Sequence, residues 1–272
     1  MRGIVTTAGG PLYFLNAYLN FRLLREKGCV MPFEWCYLGA EMTSAQIREA
    51  KQIPNLRLVN LGGRNTNNSK DKGGWQSKIE AIVQSRFDEI LFLDADSFPR
   101  SDPEYMFQEP LYVKHGAVFW PDMWRWSADS NPHVRQAAGK NVLDAKFGVT
   151  LPEQQIESGQ MILAKRKCQK ALEAVRTLNR NSADTYKVVF GDKDTFLIGF
   201  LQTQTEFLIN PYSCEPFRGG LYQKDLHGDV LFTHLTGAKF QRHCRPLIGE
   251  KELPGVGKAI ELARDLVRRG VV

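Results

Sequence analysis

The sequence predicts an α/β fold: a mainly parallel sheet with helices packed on both sides. Three observations carry this. Short apolar runs alternate with amphipathic segments through residues 3–93, the pattern of strand–helix–strand units. The run at 89–104, "EILFLDADSFPRSDPE", drives a buried strand straight into two carboxylates, Asp94 and Asp96. At 272 residues, 43% hydrophobic and 24% charged, the chain has the size and composition of a globular α/β protein.

The elements follow in order. "GIVTT" (3–7) reads as a strand and "LYFLNAYLNFRLLREKG" (12–28) as a helix stopping at Gly28. The opening twenty residues are interrupted by Gly9, Gly10 and Pro11 and wetted by Asn16 and Asn20, which argues against a signal peptide. "FEWCYLG" (33–39) is a second strand, Thr43 to Lys51 a helix, and "LRLVNL" (56–61) a third strand. "GGRNTNNSKDKGG" (62–74) is a polar loop longer than a simple connector needs. "WQSKIEAIVQSRF" places Trp75, Ile79, Ile82 and Val83 on one helical face ahead of the Asp94 strand.

Beyond Asp96 the pattern loosens. "GAVFW" (116–120) and "GQMILA" (159–164) are strands, 167–178 and 192–202 helices, and "VLFTHLT" (230–236) a late strand. Trp120, Trp124 and Trp126 surround Asp122 and are expected in the core. Residues 256–269 form an amphipathic helix with Val256, Ile260, Ala263 and Val267 inside and Gly270 as the stop. One domain spanning 1–272, with a basic tail from about 240, is the expected organisation.

The formal net charge is +6, and residues 231–272 hold eight Lys/Arg against four Asp/Glu. This suits anionic partners, but no zinc-finger spacing, RNP-type motif or long basic block points to nucleic acid. Lys258, Arg264, Arg268 and Arg269 form a basic face on the last helix. An ordinary solvated face is expected there rather than a lipid contact. Five cysteines, none in a CxxC pair, predict reduced thiols in a cytoplasmic protein. No apolar run approaches the ~18 residues of a membrane span.

In a strand, positions i and i+2 share a face, so Asp94 and Asp96 would repel each other unless a positive group sat between them. Ligands of open parallel sheets bind at the carboxyl ends of the strands. That edge gathers Thr6, Thr7 and Ala8 of "TTAGG", the 62–74 loop, the two acids and Lys78 in the first turn of its helix. A cation near a helix N-terminus suits phosphate, and the acid pair suits a hard divalent ion. Two carboxylates are too few for such an ion. "FTHLTGAKF" offers His234 as a further ligand, Gly237 for a tight turn, and Lys239 to reach a diphosphate. An imidazole ligand favours Mn²⁺ over Mg²⁺. The bland readings are surface acids, a solvated Lys78 and a structural histidine.

The block "GGWQSKIEAIVQSRFDEILFLDADSFPRSDPEYMFQEPLYVKHGAVFWPD" resembles the central block of the fungal α-1,3-mannosyltransferase family. "GIVTTAGG", "ESGQMILAKRKC" and "GDKDTF" are similar to its flanking blocks. The resemblance implies a GT-A fold, the Rossmann-like nucleotide-diphospho-sugar transferase architecture. It also implies metal-dependent transfer of a hexose from a nucleotide-sugar donor to a hydroxyl acceptor, with mannose from GDP-mannose first and UDP-hexoses open. The related glycogenin-like retaining transferases carry N-S-G, D-Q-D and H-x-x-G-x-x-K. Here Glu157-Ser158-Gly159, Asp192-Lys193-Asp194 and the one-residue-shorter His234, Gly237, Lys239 stand in their places. The resemblance makes Glu157, Asp192 and Asp194 candidate catalytic acids, although Asp192 could simply cap its helix. Lys193 in place of Gln departs from the pattern. "ILFLDADS" also resembles the opening strand of haloacid-dehalogenase-type phosphatases, but there it starts the fold, whereas here residues 1–88 precede it. A sugar-nucleotide-binding module without turnover is the non-enzymatic alternative.

Overall fold

The computed structural model describes residues 1–62, 74–126, 140–189, 191–242 and 248–272. Most of the 62–74 loop therefore lies outside the described residues, as does Cys244. The chain opens with β1 (Arg2–Thr7), α1 (Gly10–Glu26), β2 (Phe33–Tyr37), α2 (Ser44–Ala50), β3 (Leu56–Asn60), α3 (Ser77–Gln84) and β4 (Glu89–Leu93). It continues through β5 (Ser97–Pro99), a 3-10 turn at Pro103–Gln108, α4 (Pro110–His115), β6 (Ala117–Arg125), α5 (Lys140–Phe147) and β7 (Gln154–Ala164). Then come α6 (Lys165–Arg180), α7 (Ser182–Thr185), α8 (Lys193–Gln202), β8 (Leu208–Ile209), β9 (Glu215–Phe217), β10 (Gly220–Lys224), β11 (Val230–His234) and α9 (Val256–Arg268).

Among the described residues a seven-stranded sheet runs β3-β2-β1-β4-β7-β6-β8, and a four-stranded sheet runs β5-β11-β10-β9. The first four strands are mutually parallel. β7 runs antiparallel to both β4 and β6. Apolar clusters cover both faces of the large sheet: α1 packs on one through Phe14, Tyr18 and Phe21, and α3, α6 and α8 on the other through Ile79, Ala171 and Phe196. β4 is buried on both sides, as its unbroken apolar run requires.

Several expectations need correcting. Asn16 and Asn20 are buried rather than wet. Asn16 donates to the Phe240 carbonyl at 2.9 Å and accepts from the Phe240 N–H at 3.0 Å, while Asn20 donates to the Ser97 carbonyl at 2.7 Å. Both amides thus tie α1 to chain segments beside the acid pair. The "GAVFW" and "GQMILA" strands extend farther than the apolar runs suggested, through Pro121–Arg125 and back to Gln154. Trp120 and Trp126 are core residues, and Trp124 is half-buried. Cys29, Cys36, Cys168 and Cys214 are unpaired thiols.

The inner stripe of α9 is centred on Val256, Ala259 and Leu266, with Ile260, Ala263 and Val267 only partly buried beside it. Three cations of its outer face have acidic partners: Lys258 with Glu26, Arg268 with Asp265, and Arg269 with both Asp265 and Glu49. This favours a solvated, ion-paired face. No helix among the described residues is long and apolar enough to cross a membrane. The Arg269 guanidinium meets both Glu49 oxygens at 2.8 and 2.9 Å, and Tyr18 donates to the same carboxylate at 2.8 Å. Arg269→Ala would remove the cation bonded to both Glu49 oxygens and should cost about 1–2 kcal/mol. In thermal unfolding Arg269→Lys should recover only part of the loss, since an ammonium cannot bond in two parallel contacts.

Candidate active site

The two acids that end β4 are held by two neighbouring strands. Leu93 pairs with Gln160 across the antiparallel β4–β7 ladder, and the Asp94 N–H donates to the Gly159 carbonyl at 2.8 Å. This register lays Glu157-Ser158-Gly159 alongside the acid pair. On the other side β5 pairs with β11, setting Ser97 opposite His234, and the Leu235 N–H donates to the Asp96 carbonyl at 2.9 Å. A residue some 140 positions away in sequence is thereby brought beside Asp96.

Asp94, Asp96 and His234 each offer a ligand atom, all within 4.8 Å of one another. They border a cavity of about 630 Å³. Along the sheet edge it runs from the loops after β2 and β1 (Tyr37, Leu38, Glu41, Thr7, Ala8), past the end of β4, to Glu157 and Asp192. Lys78, Lys193 and Lys239 also line it.

The acids are paired with buried cations. Lys78, only 6% exposed, lies 3.1 Å from Asp94 Oδ1 and 3.1 Å from Asp192 Oδ2, and donates to the Ser158 carbonyl and hydroxyl at 2.9 Å. His234 Nε2 is 3.5 Å from Asp96 Oδ1, and its Nδ1 is 2.9 Å from Glu157 Oε2. Lys239 Nζ reaches Asp96 Oδ2 at 2.5 Å. Lys193 pairs with Asp122 and donates to Gln155 Oε1 at 3.0 Å.

These pairings set the protonation states. Burial pushes the Asp94 carboxyl up to about 6, with Lys78 pulling the other way and Asp96 adding to the rise. Burial would raise Asp96 too, but His234 and Lys239 together hold it below the ordinary carboxylate range. Burial is likewise overcome at Glu157, which His234, Lys193 and Lys78 bring down to about 2. Burial disfavours the His234 imidazolium, yet Glu157 and Asp96 lift it to about 10. With no cation bound, His234 is therefore protonated at neutral pH and serves as the positive group between the acids. A divalent ion would find two carboxylates and, once His234 gives up its proton, an imidazole nitrogen. That donor set fits a hard or borderline cation.

Other site residues chosen from sequence are placed as follows. Thr7 and Ala8 line the cavity, whereas Thr6, still inside β1 and in register with Trp35, is buried and does not. Asp192 sits at the N-terminal cap position of α8 but makes no side-chain capping bond; its carboxylate faces Lys78 instead. Asp194 is buried in the first turn of α8 and is not among the lining residues; its charge acts on Lys193, which the surrounding carboxylates hold at about 12 against burial. Gly237 is not a lining residue either, and the turn does not need it for a positive φ. The turn packs instead on Gly219, between β9 and β10 at φ +100°, where a β-carbon would stand 2.6 Å from Ala238 Cβ; the Gly219 carbonyl accepts from the Gly237 and Ala238 N–H groups at 2.9 Å.

Sequence reasoning missed Asp122 and Gln155 as partners of Lys193, and it missed Glu41 in the cavity wall. Asp122 carried a signal, a lone acid within an apolar run. Gln155 and Glu41 carried none.

The architecture is that of the GT-A glycosyltransferases. The fold is similar to galactosyltransferase LgtC solved with donor and acceptor sugar analogs, at 15% identity over 100% of both chains with a TM-score of 0.61. It is also similar to the WbbM bifunctional glycosyltransferase, at 13% identity over 77% of this chain and 38% of that one with a TM-score of 0.54. Over residues 1–227 the chain matches the protein family described as "Mannosyltransferase putative", and it belongs to that family. Among its relatives are the α-1,2-mannosyltransferases MNN2 of Saccharomyces cerevisiae, 26% identical over 91% of this chain and 48% of that protein, and MNN2 of Candida albicans, 29% identical over 53% and 24%. The chain thus spans half or less of the length of these relatives. Their names specify α-1,2 linkage, which corrects the resemblance to α-1,3 enzymes. The opening-strand resemblance to phosphatases gives way to the same family match.

The site also depends on an absent side chain. A β-carbon at Gly159 would stand 2.4 Å from His234 Cε1 and 2.6 Å from its Nδ1. Gly159→Ala should therefore displace the buried imidazole and weaken any divalent-ion binding at Asp94, Asp96 and His234 at least as much as His234→Ala, with the far-UV circular dichroism unchanged. Calorimetric titration with MnCl₂ measures both variants.

Proposed function

We propose that this chain is a metal-dependent, retaining mannosyltransferase that moves mannose from GDP-mannose to a hydroxyl of a glycan acceptor. The observation that carries the reading is the Asp94, Asp96 and His234 cluster bordering a cavity of about 630 Å³ at the carboxyl edge of the sheet. The mannosyltransferase family supports mannose as the sugar, and the names of the relatives favour an α-1,2 linkage.

Asp94, Asp96 and His234 would hold Mn²⁺ or Mg²⁺, which supplies Lewis-acid stabilisation of the leaving diphosphate. The chain's own residues do the rest. His234 gives up its proton, and Lys239 releases Asp96 to pair with the diphosphate as a point charge. Lys78, held by Asp94, Asp192 and Ser158, keeps Asp192 fixed beside the donor sugar. Glu157 stays ionised and faces the charge that builds on the sugar as the glycosidic bond lengthens.

The first test needs no acceptor: slow Mn²⁺-dependent hydrolysis of GDP-mannose, followed by GDP release. Asp192→Asn and Glu157→Gln should keep GDP affinity yet lose a hundredfold or more in turnover, on the order expected when a group beside the reacting atoms is removed. Binding of GDP with no turnover of any nucleotide sugar, with or without acceptors, would instead make this chain a binding module.

Metal affinity should depend on pH with a definite sign. The His234 imidazolium, raised to about 10, must lose its proton when a cation binds. Affinity should therefore climb about tenfold per pH unit through neutrality. Below pH 6 the rise should be steeper, where Asp94 is protonated as well. Titrations at pH 7 in buffers of different ionisation enthalpy should count about one proton released per Mn²⁺, and His234→Ala should lose the share that the imidazolium contributes.

A further inference from the structure

We propose that Glu41 reads the nucleobase and selects guanine, an inference that rests on the cavity holding a nucleoside diphosphate. The diphosphate end of such a ligand belongs at the close of β4, where Asp94, Asp96, His234 and Lys239 converge. Glu157 and Asp192, on the β7 side, occupy the sugar end. The nucleoside then extends the other way, across β1 to the turn after β2. Two strand spacings separate β4 from β2, about 10 Å, a span that passes the ribose and reaches the base. Tyr13, Tyr37 and Leu38 line that end beside Glu41, an apolar and aromatic surround suited to a flat heterocycle.

Glu41 is held firmly in this wall. Its carboxylate Oε2 accepts from the Leu38 N–H at 3.2 Å. Its backbone N–H donates to the Leu38 carbonyl at 3.0 Å, and its carbonyl accepts from the Gly10 N–H at 2.9 Å. A β-carbon at Gly9 would stand 2.1 Å from Oε2, so the carboxylate lies against the bare backbone of the "TTAGG" segment. An ionised carboxylate only accepts hydrogen bonds, and two parallel donors match it best. Guanine offers that pair on one edge, its ring N1–H and exocyclic amino group. Uracil offers one N–H between two carbonyl oxygens, which a carboxylate repels. Adenine and cytosine set an amino group beside a ring acceptor. Hypoxanthine keeps the ring N–H and lacks the amino group, so it isolates the second contact.

The test is calorimetry of GDP, IDP, 2′-deoxy-GDP and UDP in MnCl₂, with wild type, Glu41→Gln and Glu41→Ala, each checked for unchanged thermal unfolding. Wild type should bind GDP and 2′-deoxy-GDP alike and about 10- to 100-fold more tightly than IDP or UDP. Both variants should lose that preference through weaker GDP binding, with UDP held at least as tightly as by wild type. Tighter binding of UDP than GDP by wild type would overturn the assignment and leave the transferase reading standing. So would an equal loss for every nucleotide in the variants, or a loss that follows the 2′-hydroxyl. Failure of all four ligands to bind wild type would overturn the assignment together with the reading beneath it.

Discussion

The site depends on one electrostatic constraint: carboxylates crowded at the end of a buried strand must be held together by buried cations. Asp94, Asp96, Glu157 and Asp192 face Lys78, Lys239 and a protonated His234. Isolated, any of these charges would carry a large desolvation cost; paired, they hold one another in place. The arrangement leaves one negative charge in excess. In the proposed reading, a divalent ion in place of the His234 proton would bring these groups to neutrality.

The backbone around this cluster follows from the same need for placement. β5 and β11 are short strands anchored in the core by Phe98, Leu231 and Phe232, and their pairing fixes His234 opposite Ser97. Asn16 and Asn20 act from the far side, bonding α1 to Phe240 and Ser97. Together the two asparagines make the Asp96 exit and the Lys239 segment answer to the same helix. Gly159 supplies the last condition by leaving room for the imidazole. The cluster is thus assembled by hydrogen bonds from elements distant in sequence.

That division explains what the sequence made legible. The run from β1 to β4 was readable because each strand is an apolar block and each helix an amphipathic one, and their order alone brings Thr7, Lys78 and Asp94 to one edge. The small sheet was not readable beyond β11, since β9 and β10 are short, glycine-flanked and partly exposed. The inner face of α9 was misjudged by a fraction of a turn because Ala259 and Leu266 fit a helical stripe as well as Ile260 and Ala263 do. Gly237 drew attention through its motif, whereas Gly219 carries the backbone requirement and stands in no motif. Glu41 lies in a polar turn, where composition does not distinguish a wall residue from a solvated one.

Lys193 shows how far a motif can be carried. In the pattern of the retaining transferases that this chain resembles, the same place holds Gln, a neutral group with donor and acceptor atoms. Here an ammonium is fixed by Asp122 and Gln155 and remains charged, held at about 12. A permanently protonated lysine can neither accept a proton nor attack a sugar carbon. It can hold the neighbouring carboxylates ionised, and Glu157, brought down to about 2 in part by this charge, is the acid that gains. Exchanging Asn for Glu at 157 and Gln for Lys at 193 therefore makes one coupled change, adding an anion and the cation that keeps it charged. In the proposed reaction that adds a carboxylate on β7 to the one Asp192 presents at the start of α8.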